Sequence, residues 1–184
     1  MINNETFRAI GIIGKPLKQS LSPYLHNYWI KKYKLSSYYL PLPIDNINDL
    51  KVAIKKRNFL GLNITIPYKK SIINQLDSID LGARKIEAVN TLSLVNNKLK
   101  GFNTDIIGFK KGLFKKKWNK KRPVIIYGAG GAAEAIIYFL KLENIKDITV
   151  VNRTKKRAKE IAKKYKNIKF STDFKLDIKE AGLI

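Results

Sequence analysis

Two polar side chains at predicted strand ends are the residues best suited to chemistry. Lys69 ends the segment of residues 63–69 (NITIPYK), and Asp105 ends the segment of residues 101–105 (GFNTD). A lysine ammonium can stabilise negative charge developing on an oxygen and supply a proton to it, and a carboxylate can orient that lysine. A full supersecondary unit separates the two segments. The sequence therefore predicts one proton-transfer site that uses Lys69 and Asp105.

The amino-acid composition excludes several other kinds of catalytic and metal-binding site. The 184 residues include no cysteine and one histidine, which excludes a disulfide, a thiolate metal site, a cysteine nucleophile and a histidine-rich metal site. We therefore expect no metal, and catalysis must use Lys, Asp, Ser, Thr or Asn. The longest apolar runs, such as residues 135–140, are far shorter than a membrane span, and the N-terminus has no basic leader. We expect a cytoplasmic protein without membrane association.

The chain carries a formal net charge of +23, which favours nucleic-acid binding because clustered cations release counterions from phosphates. Of its 37 basic residues only six are arginines. The lysines fall on polar faces of predicted helices and in connections, as at Lys155, Lys156 and residues 115–117, where a solvated surface explains them. No nucleic-acid-binding signature accompanies the charge. We predict no nucleic-acid partner, and a basic nucleic-acid-binding protein is the alternative from another functional class.

The first half of the chain alternates strand and helix patterns. Extended segments are predicted at residues 7–14, 37–42 and 62–66, with helices at residues 22–33 and 47–56. This alternation predicts an α/β domain whose sheet is mostly parallel. Ser22 and Pro23 indicate a helix start at which the serine hydroxyl caps free amides. Residues 88–95 and 98–102 read as a hairpin, because Asn96 and Asn97 tolerate positive φ.

The second half repeats the strand and helix alternation after a lysine-rich stretch. Residues 105–117 are predicted to form a linking helix, and residues 181–184 the start of a further buried strand. We assign residues 1–103 to a first domain, 104–121 to a linker and 122–184 to an incomplete Rossmann domain, since only a few parallel strands are visible. The elements predicted in that last domain are strands at 123–127, 148–151 and 168–170, and helices from 131 to about 143 and at 154–165, the latter burying Ala158, Ile161, Ala162 and Tyr165.

A glycine-rich turn follows the first of these strands. Gly128, Gly130 and Ala133 fit the G-x-G-x-x-A pattern, in which the first glycine makes a tight turn and the second lets a pyrophosphate approach the backbone. The pyrophosphate lies at the helix N-terminus, where free N–H groups and the helix dipole favour an anion. We predict dinucleotide contacts from the turn, namely Gly128, Ala129, Gly130, Gly131 and Ala132.

The end of the next strand indicates which dinucleotide is bound. A site selective for NAD places a carboxylate there, against the ribose hydroxyls. This chain instead has Asn152, Arg153 and Thr154, with Arg157 one helical turn later. Two guanidinium groups suit the 2′-phosphate of NADP, so we predict NADP as the cofactor. The alternative is that both arginines are surface charges and that Thr154 caps the helix.

Six motifs in order make the chain resemble the shikimate dehydrogenases over essentially its whole length. The resemblance implies an N-terminal substrate domain and an NADP-binding Rossmann domain that together reduce 3-dehydroshikimate to shikimate, a step of chorismate and aromatic amino-acid biosynthesis. The motifs are residues 20–23 (SLSP) with His26 and Asn27, residues 63–69, 88–91 (AVNT), 103–105 (NTD), the turn at Gly128, and residues 152–154 (NRT).

Carried over residue by residue, the resemblance assigns the site. It makes Lys69 and Asp105 the catalytic pair, and both also contact substrate. The other substrate ligands that it implies are Ser20, Ser22, Asn63, Thr65 and Asn90. Hydroxyls close to a helix start suit a carboxylate, and amide side chains suit ring hydroxyls. We expect His26 to make a structural hydrogen bond, and Trp29 and Tyr68 to serve in packing.

The chain also departs from the family. Glu87 and Ile106 stand where the family usually has glycine. The family's C-terminal portion, with a substrate-contacting glutamine and terminal helices, has no counterpart, so we expect little or no turnover from the chain alone. A quinate/shikimate dehydrogenase that uses NAD or NADP is the nearest alternative, and a non-catalytic remnant is another. Either a monomer or a homodimer fits the sequence.

Overall fold

The computed structural model describes residues 8–50, 54, 59–114, 118–175 and 178–184. The chain divides into two compact units, and the division falls between Asn103 and Thr104. Each unit has its own sheet and its own apolar core. The α/β class expected from the alternation of elements is confirmed.

The first unit is built on a six-stranded sheet of order β2-β1-β3-β5-β6-β4. β1 pairs in parallel with β2 and β3, and β4 pairs in parallel with β6, whereas β5 is antiparallel to both β3 and β6. Parallel strands need long crossovers, and the helices between them supply those. The strands are β1 (Arg8–Ile13), β2 (Ser37–Leu42), β3 (Phe59–Ile64), β4 (Ser78–Ile79), β5 (Thr91–Val95) and β6 (Lys98–Phe102).

The predicted hairpin forms, but its first strand is shorter than expected. Asn96 and Asn97 join β5 to β6 with φ of 49° and 59°, the left-handed values that this two-residue turn requires. Residues 88–90 were expected to be extended strand and are not. Ala88 N–H donates to the Ala83 carbonyl and Val89 N–H to the Lys69 carbonyl. Those two donors are therefore used outside the β3–β5 ladder.

Helix α1 (Ser22–Lys32) begins at the predicted place without the predicted cap. Pro23 lies in its first turn, but Leu21 is the capping residue and no side chain caps the helix. Instead, the Ser20 Oγ accepts a weak hydrogen bond from the Ser22 N–H at 3.4 Å. The Ser22 side chain lies instead near the Tyr39 hydroxyl, where hydrogen bonding with it lowers the pKa of Tyr39.

Asn27 ties α1 to the sheet. Its Nδ2 donates to the Tyr39 carbonyl and its Oδ1 accepts from the Tyr39 N–H, both at 2.9 Å. None of the residues of α1 is buried within the first unit, and Trp29 is 42% exposed. The expected packing role of Trp29 is therefore only partly met, by an edge-on contact with His26.

The remaining helical segments of the first unit are short. They are the 3₁₀ turns Ile47–Asp49 and Ser71–Gln75 and helix α2 (Leu81–Ile86). The 3₁₀ turn Ile47–Asp49 stands where the helix predicted at residues 47–56 should begin. Most of the rest of that predicted helix lies outside the described residues. α2 ends at Glu87, whose φ of 61° is left-handed. A glycine adopts this conformation without the cost of about 1 kcal/mol that a side chain adds, which is a physical reason for the glycine that the resemblance leads us to expect there.

The core of the first unit lies on one face of its sheet. Tyr68 packs at its edge and donates its hydroxyl to the Ile44 carbonyl at 2.5 Å. Removing large apolar side chains from water supplies most of the stability of such a core. The largest buried side chains are Ile13, Ile54, Ile64, Ile72, Ile86, Leu92 and Leu99.

The second unit has three parallel strands in the order β7-β8-β9, flanked by helices. Leu183 makes an isolated parallel bridge with Val124, and its carbonyl accepts from the Ile125 N–H at 3.0 Å. The buried strand expected at residues 181–184 is thus present only as this single bridge, and none of the four residues is buried. The elements are α3 (Asp105–Phe114), β7 (Val124–Tyr127), α4 (Gly131–Leu142), β8 (Ile148–Val151), α5 (Lys155–Lys164) and β9 (Ile168–Ser171).

Helices α4 and α5 supply buried side chains to the apolar core of this unit. Ala158 and Ile161 are buried as the stripe on α5 predicted, while Lys155 and Lys156 are exposed. Glu134, on the buried side of α4, accepts from the Lys164 Nζ at 2.8 Å. Ile106 packs against the same core, so the larger side chain at this position contributes buried apolar surface. Residues 115–117, predicted to end α3, lie outside the described part of the chain.

Candidate active site

Hydrogen bonds connect the chain segments at the ends of β3, β5 and β6. The Ile64 N–H donates to the Asn90 carbonyl at 2.8 Å, and the Val89 N–H donates to the Lys69 carbonyl at 2.7 Å. Buried Asn103 donates its Nδ2 to the Ala88 carbonyl at 2.9 Å. These bonds hold the loop that carries Lys69 against the segment that carries Asn90.

A row of polar side chains runs across the same end of the sheet. The Tyr39 hydroxyl donates to the Asn63 Oδ1 at 2.8 Å, and the Asn63 Nδ2 donates to the Thr91 Oγ1 at 3.4 Å. Thr91 in turn donates to the Asn90 Oδ1 at 3.0 Å. Register explains the arrangement, because Asn63 is paired directly with Thr91 and so shares a face of the sheet with it. Three of these residues border a cavity of about 330 Å³, namely Tyr39, Asn63 and Thr91.

Tyr39 and Thr91 were not among the residues predicted to form the site. Burial raises the pKa of Tyr39 to about 12, and a hydrogen bond with Ser22 opposes part of that rise. The phenol therefore stays protonated at neutral pH and can donate. Strand alternation directs Tyr38 and Tyr39 to opposite faces of the sheet, but no signal in the sequence shows which of them faces the site.

Three other predicted substrate ligands of the first unit, Thr65, Ser20 and Ser22, do not all lie at the polar row. The Thr65 N–H donates to the Ile13 carbonyl at 2.8 Å, and its methyl group lies against Gly14, where a Cβ would stand 2.3 Å from it. Glycine is thus required at position 14 by close approach. Ser20 instead lines a separate cavity of about 550 Å³ together with Pro23 and Pro41. Only Ser22 of the two serines reaches the polar row.

His26 makes ring contacts in place of the expected hydrogen bond. Its imidazole stacks on the Tyr39 ring with centroids 4.3 Å apart and an interplanar angle of 3°, and it meets the Trp29 ring edge-on at 5.5 Å. Burial lowers the pKa of His26 below its ordinary value of 6.5, since the charged form loses hydration.

His26 should titrate below pH 6.5, and the chain offers a clean measurement because it has one histidine. With the folded pKa below the unfolded value, the unfolded chain takes up a proton first as the pH falls. The contribution of His26 to the free energy of unfolding is therefore fully present above pH 6.5. It is lost as the pH drops through 6.5 towards the folded pKa. An NMR titration of the imidazole measures the pKa, and His26→Gln should remove that part of the pH dependence of unfolding. A pKa at or above 6.5 would contradict the stacked, dehydrated ring.

In the second unit, the turn after β7 has the geometry that the glycine pattern predicts. Gly128 has a φ of 111°, in the region that side chains rarely adopt, and its N–H donates to the Val151 carbonyl at 2.8 Å. Gly130 is the capping residue of α4, and a Cβ placed on it meets no atom within 4 Å among the described residues. The first N–H groups of a helix lack intrahelical acceptors. The turn can therefore receive a phosphate group close to the backbone.

The segment after β8 presents two exposed guanidinium groups, those of Arg153 and Arg157. The Asn152 Nδ2 donates to the Thr154 carbonyl at 2.9 Å and shapes the turn into α5. Thr154 occupies the capping position of α5, as the alternative expected, but its side chain makes no capping hydrogen bond. Exposed guanidinium groups beside a dinucleotide turn can pair with a further phosphate.

Asp105 belongs to the second unit, as the first residue of α3. A carboxylate in the first turn of a helix is favoured by the helix dipole. Among the described residues, no group of three or more His, Asp or Glu side chains is arranged to hold a metal ion. None of the described helices is long and apolar enough to cross a membrane.

The fold and these sites define a class, the α/β proteins in which one unit carries a Rossmann-type glycine turn and another carries a polar site. Residues 12–92 match the model of the shikimate dehydrogenase substrate binding domain, and residues 112–181 match that of shikimate / quinate 5-dehydrogenase. The chain belongs to the shikimate dehydrogenase family. Neither match describes a nucleic-acid-binding domain, so the alternative suggested by the charge is not supported.

Individual relatives and solved structures support the same family. The chain is 46% identical over 160 residues to the shikimate dehydrogenase (NADP(+)) of Pelagibacter ubique. It superposes with a TM-score of 0.84 on a crystal structure of shikimate dehydrogenase in complex with NADP+, at 34% identity over 98% of this chain and 66% of that one. The enzyme from Thermus thermophilus in complex with shikimate gives 0.78, at 31% identity over 89% of this chain and 63% of that one. The match to the Pelagibacter protein covers 85% of this chain and 60% of that relative, so the chain spans about that share of its length.

Proposed function

We propose that the chain serves the NADPH-dependent reduction of 3-dehydroshikimate to shikimate. The observation that carries the proposal is the polar row from Ser22 through Tyr39, Asn63 and Thr91 to Asn90, held beside the loop of Lys69. A small acid with several hydroxyls needs that many donors and acceptors. A relative of the same fold is known in complex with shikimate.

The residues of the dinucleotide turn fit NADP. Gly130 leaves space for the pyrophosphate at the N-terminus of α4, and exposed Arg153 and Arg157 supply cations for the 2′-phosphate. The donor set also includes backbone N–H groups of Ala129, Gly131 and Ala132, as the sequence predicts. When bound, reduced NADP supplies a hydride to the carbonyl carbon of the substrate.

The chain's own groups complete the reduction. In the proposal, the Lys69 ammonium donates a hydrogen bond to the carbonyl oxygen, stabilises its growing negative charge and transfers one proton to it. Hydride and proton together convert the C=O group to CH–OH, which leaves Lys69 neutral until it is reprotonated by water. Asp105 orients Lys69 and accepts from a substrate hydroxyl. Ser20, Ser22, Asn63, Thr65 and Asn90 bind the carboxylate and the remaining hydroxyls.

Binding and turnover of shikimate test the proposal on the 184-residue chain. Saturable binding, followed by ligand-observed NMR in the presence of NADP, should be competed by 3-dehydroshikimate and only weakly by quinate. NADP-dependent oxidation of shikimate, followed by the absorbance of NADPH, measures the reaction itself. A folded chain that binds NADP but no shikimate would falsify the assignment of substrate. We also propose a cytoplasmic location and either a monomer or a homodimer. Light scattering on the same sample decides between these two oligomeric states.

Arg153→Ala should weaken NADPH binding about 10-fold and leave NADH binding unchanged, because only NADPH carries the 2′-phosphate that the guanidinium pairs with. Fluorescence titration with each dinucleotide measures both affinities. Lys156→Ala is the matched control, since it removes a cation from the same exposed segment of α5. Equal losses for NADPH and NADH would show that Arg153 does not select between them.

A further inference from the structure

One hydroxyl group links two of the residues that the proposed function assigns to substrate binding. The Tyr39 Oη donates to the Asn63 Oδ1 at 2.8 Å and makes a second hydrogen bond with the Ser22 side chain. Ser22 begins α1, whereas Asn63 lies on β3. Tyr39, on β2, is thus the junction between two elements that carry candidate ligands.

Tyr39 is itself held in place by Asn27 and His26. Both its backbone N–H and its carbonyl are bonded to Asn27, each at 2.9 Å. The His26 ring is stacked on its ring, and 2% of the residue is exposed. A side chain fixed so completely can impose an orientation on a neighbour that is free to rotate, whereas a mobile one cannot.

Asn63 needs such an imposed orientation. The oxygen and nitrogen ends of its amide are similar in shape, so an Asn can bind in either of two flipped positions unless its partners choose one. In the structure the protonated phenol donates to the oxygen end. The nitrogen end then faces the Thr91 Oγ1 at 3.4 Å, and its second N–H remains as a donor towards the cavity of about 330 Å³.

We propose that Tyr39 is a positioning residue that fixes the amide of Asn63, and with it the hydroxyl of Ser22, so that the cavity presents donors to an acid bearing hydroxyl groups. The identity of that acid rests on the proposed function, but the positioning of Asn63 does not. Tyr39 touches neither the reacting atoms nor the cofactor in this proposal. It borders the cavity, and the effect proposed here is the one that it exerts through Asn63 and Ser22.

Tyr39→Phe removes the hydroxyl and keeps the ring, the stack on His26 and the backbone bonds to Asn27. We expect the Kd for shikimate to rise about 10-fold, since one well-made hydrogen bond and the orientation it imposes are lost. The Kd for NADPH should not change. Tyr33→Phe is the matched control because it removes the hydroxyl of a tyrosine that is 64% exposed.

A second readout needs no ligand. The side-chain amide signals of Asn63 in a ¹⁵N NMR spectrum should move in Tyr39→Phe and stay in place in Tyr33→Phe. Unchanged Asn63 signals in Tyr39→Phe would overturn the inference, and so would moved signals with an unchanged Kd for shikimate. Moved signals in a chain whose wild type binds no shikimate would uphold the positioning of Asn63 and refute the proposed function instead.

If Tyr39→Phe does not fold, 3,5-difluorotyrosine at position 39 keeps the inference testable. This analogue retains the hydroxyl but ionises at a lower pH, and a phenolate cannot donate to the Asn63 Oδ1. Affinity for shikimate should then fall as the pH rises through the analogue's pKa, relative to the wild type at the same pH. His26, the titratable ring stacked on Tyr39, is already neutral in that range. Parallel pH profiles for the two proteins would overturn the inference.

Discussion

Lys69→Met should slow hydride transfer from NADPH to 3-dehydroshikimate about 1,000-fold, with both ligands still bound. Methionine preserves the length of the side chain and removes the ammonium that is proposed to stabilise the developing oxyanion and to protonate it. The backbone of the loop should not move, because it is held through the Lys69 carbonyl, which accepts from the Val89 N–H at 2.7 Å. The effect should therefore appear in the rate far more than in the affinity for NADPH.

Single turnovers with the chain in excess over 3-dehydroshikimate measure this rate even where steady-state turnover is slow. Lys70→Met is the matched control, since it removes an exposed ammonium one residue away. We expect it to react at close to the wild-type rate. If Lys69→Met transferred hydride as fast as the wild type, Lys69 would be a surface cation and another group would have to supply the proton.

Gly130→Ala should lower the affinity for NADPH about 100-fold, because the added Cβ occupies the space through which the pyrophosphate reaches the backbone N–H groups of α4. The free protein should tolerate the change. Gly130 has a φ of −104° and a ψ of −176°, an extended conformation open to any residue, and a Cβ there meets no atom within 4 Å among the described residues. A small loss of stability, about 0.5 kcal/mol, is expected because alanine is a poorer N-cap than glycine.

Gly112→Ala provides the control, because it adds a Cβ in equally open space on α3. Calorimetric titration with NADPH and a thermal melt of each variant separate loss of binding from loss of folding. Gly128→Ala should differ from both variants, because a φ of 111° strains any side chain. We expect it to lower the melting temperature of the protein. Wild-type affinity in Gly130→Ala would show that the dinucleotide does not approach this turn.

Elements specified by local chemistry were predicted from the sequence. The hairpin at Asn96 and Asn97 forms because asparagine tolerates the positive φ that the turn needs, and α1 begins beside Pro23 because proline fits a first helical turn. The turn at Gly128 likewise depends on one residue's backbone freedom. In each case, the information lies within a few neighbouring residues.

The predictions that failed depended on partners distant in the sequence. Ser22 was expected to cap α1, but its hydroxyl bonds to Tyr39. The strand expected from residue 88 starts at Thr91, because the Val89 N–H is taken by the Lys69 carbonyl. His26 stacks on Tyr39 instead of making a hydrogen bond. No local pattern reveals such competition for a donor or a ring face.

By itself, the sequence determined the α/β class, the order of the elements, the dinucleotide turn and the family, since these follow from periodicity, glycine and proline positions, and short motifs. Only the tertiary structure decided which of two adjacent tyrosines enters the candidate site. Tyr38 and Tyr39 have the same chemistry, but the pleat of β2 and its register with β1 direct them to opposite faces. The polar row that joins Ser22 to Asn90 through Tyr39 exists only because strands far apart in the chain are paired in the sheet.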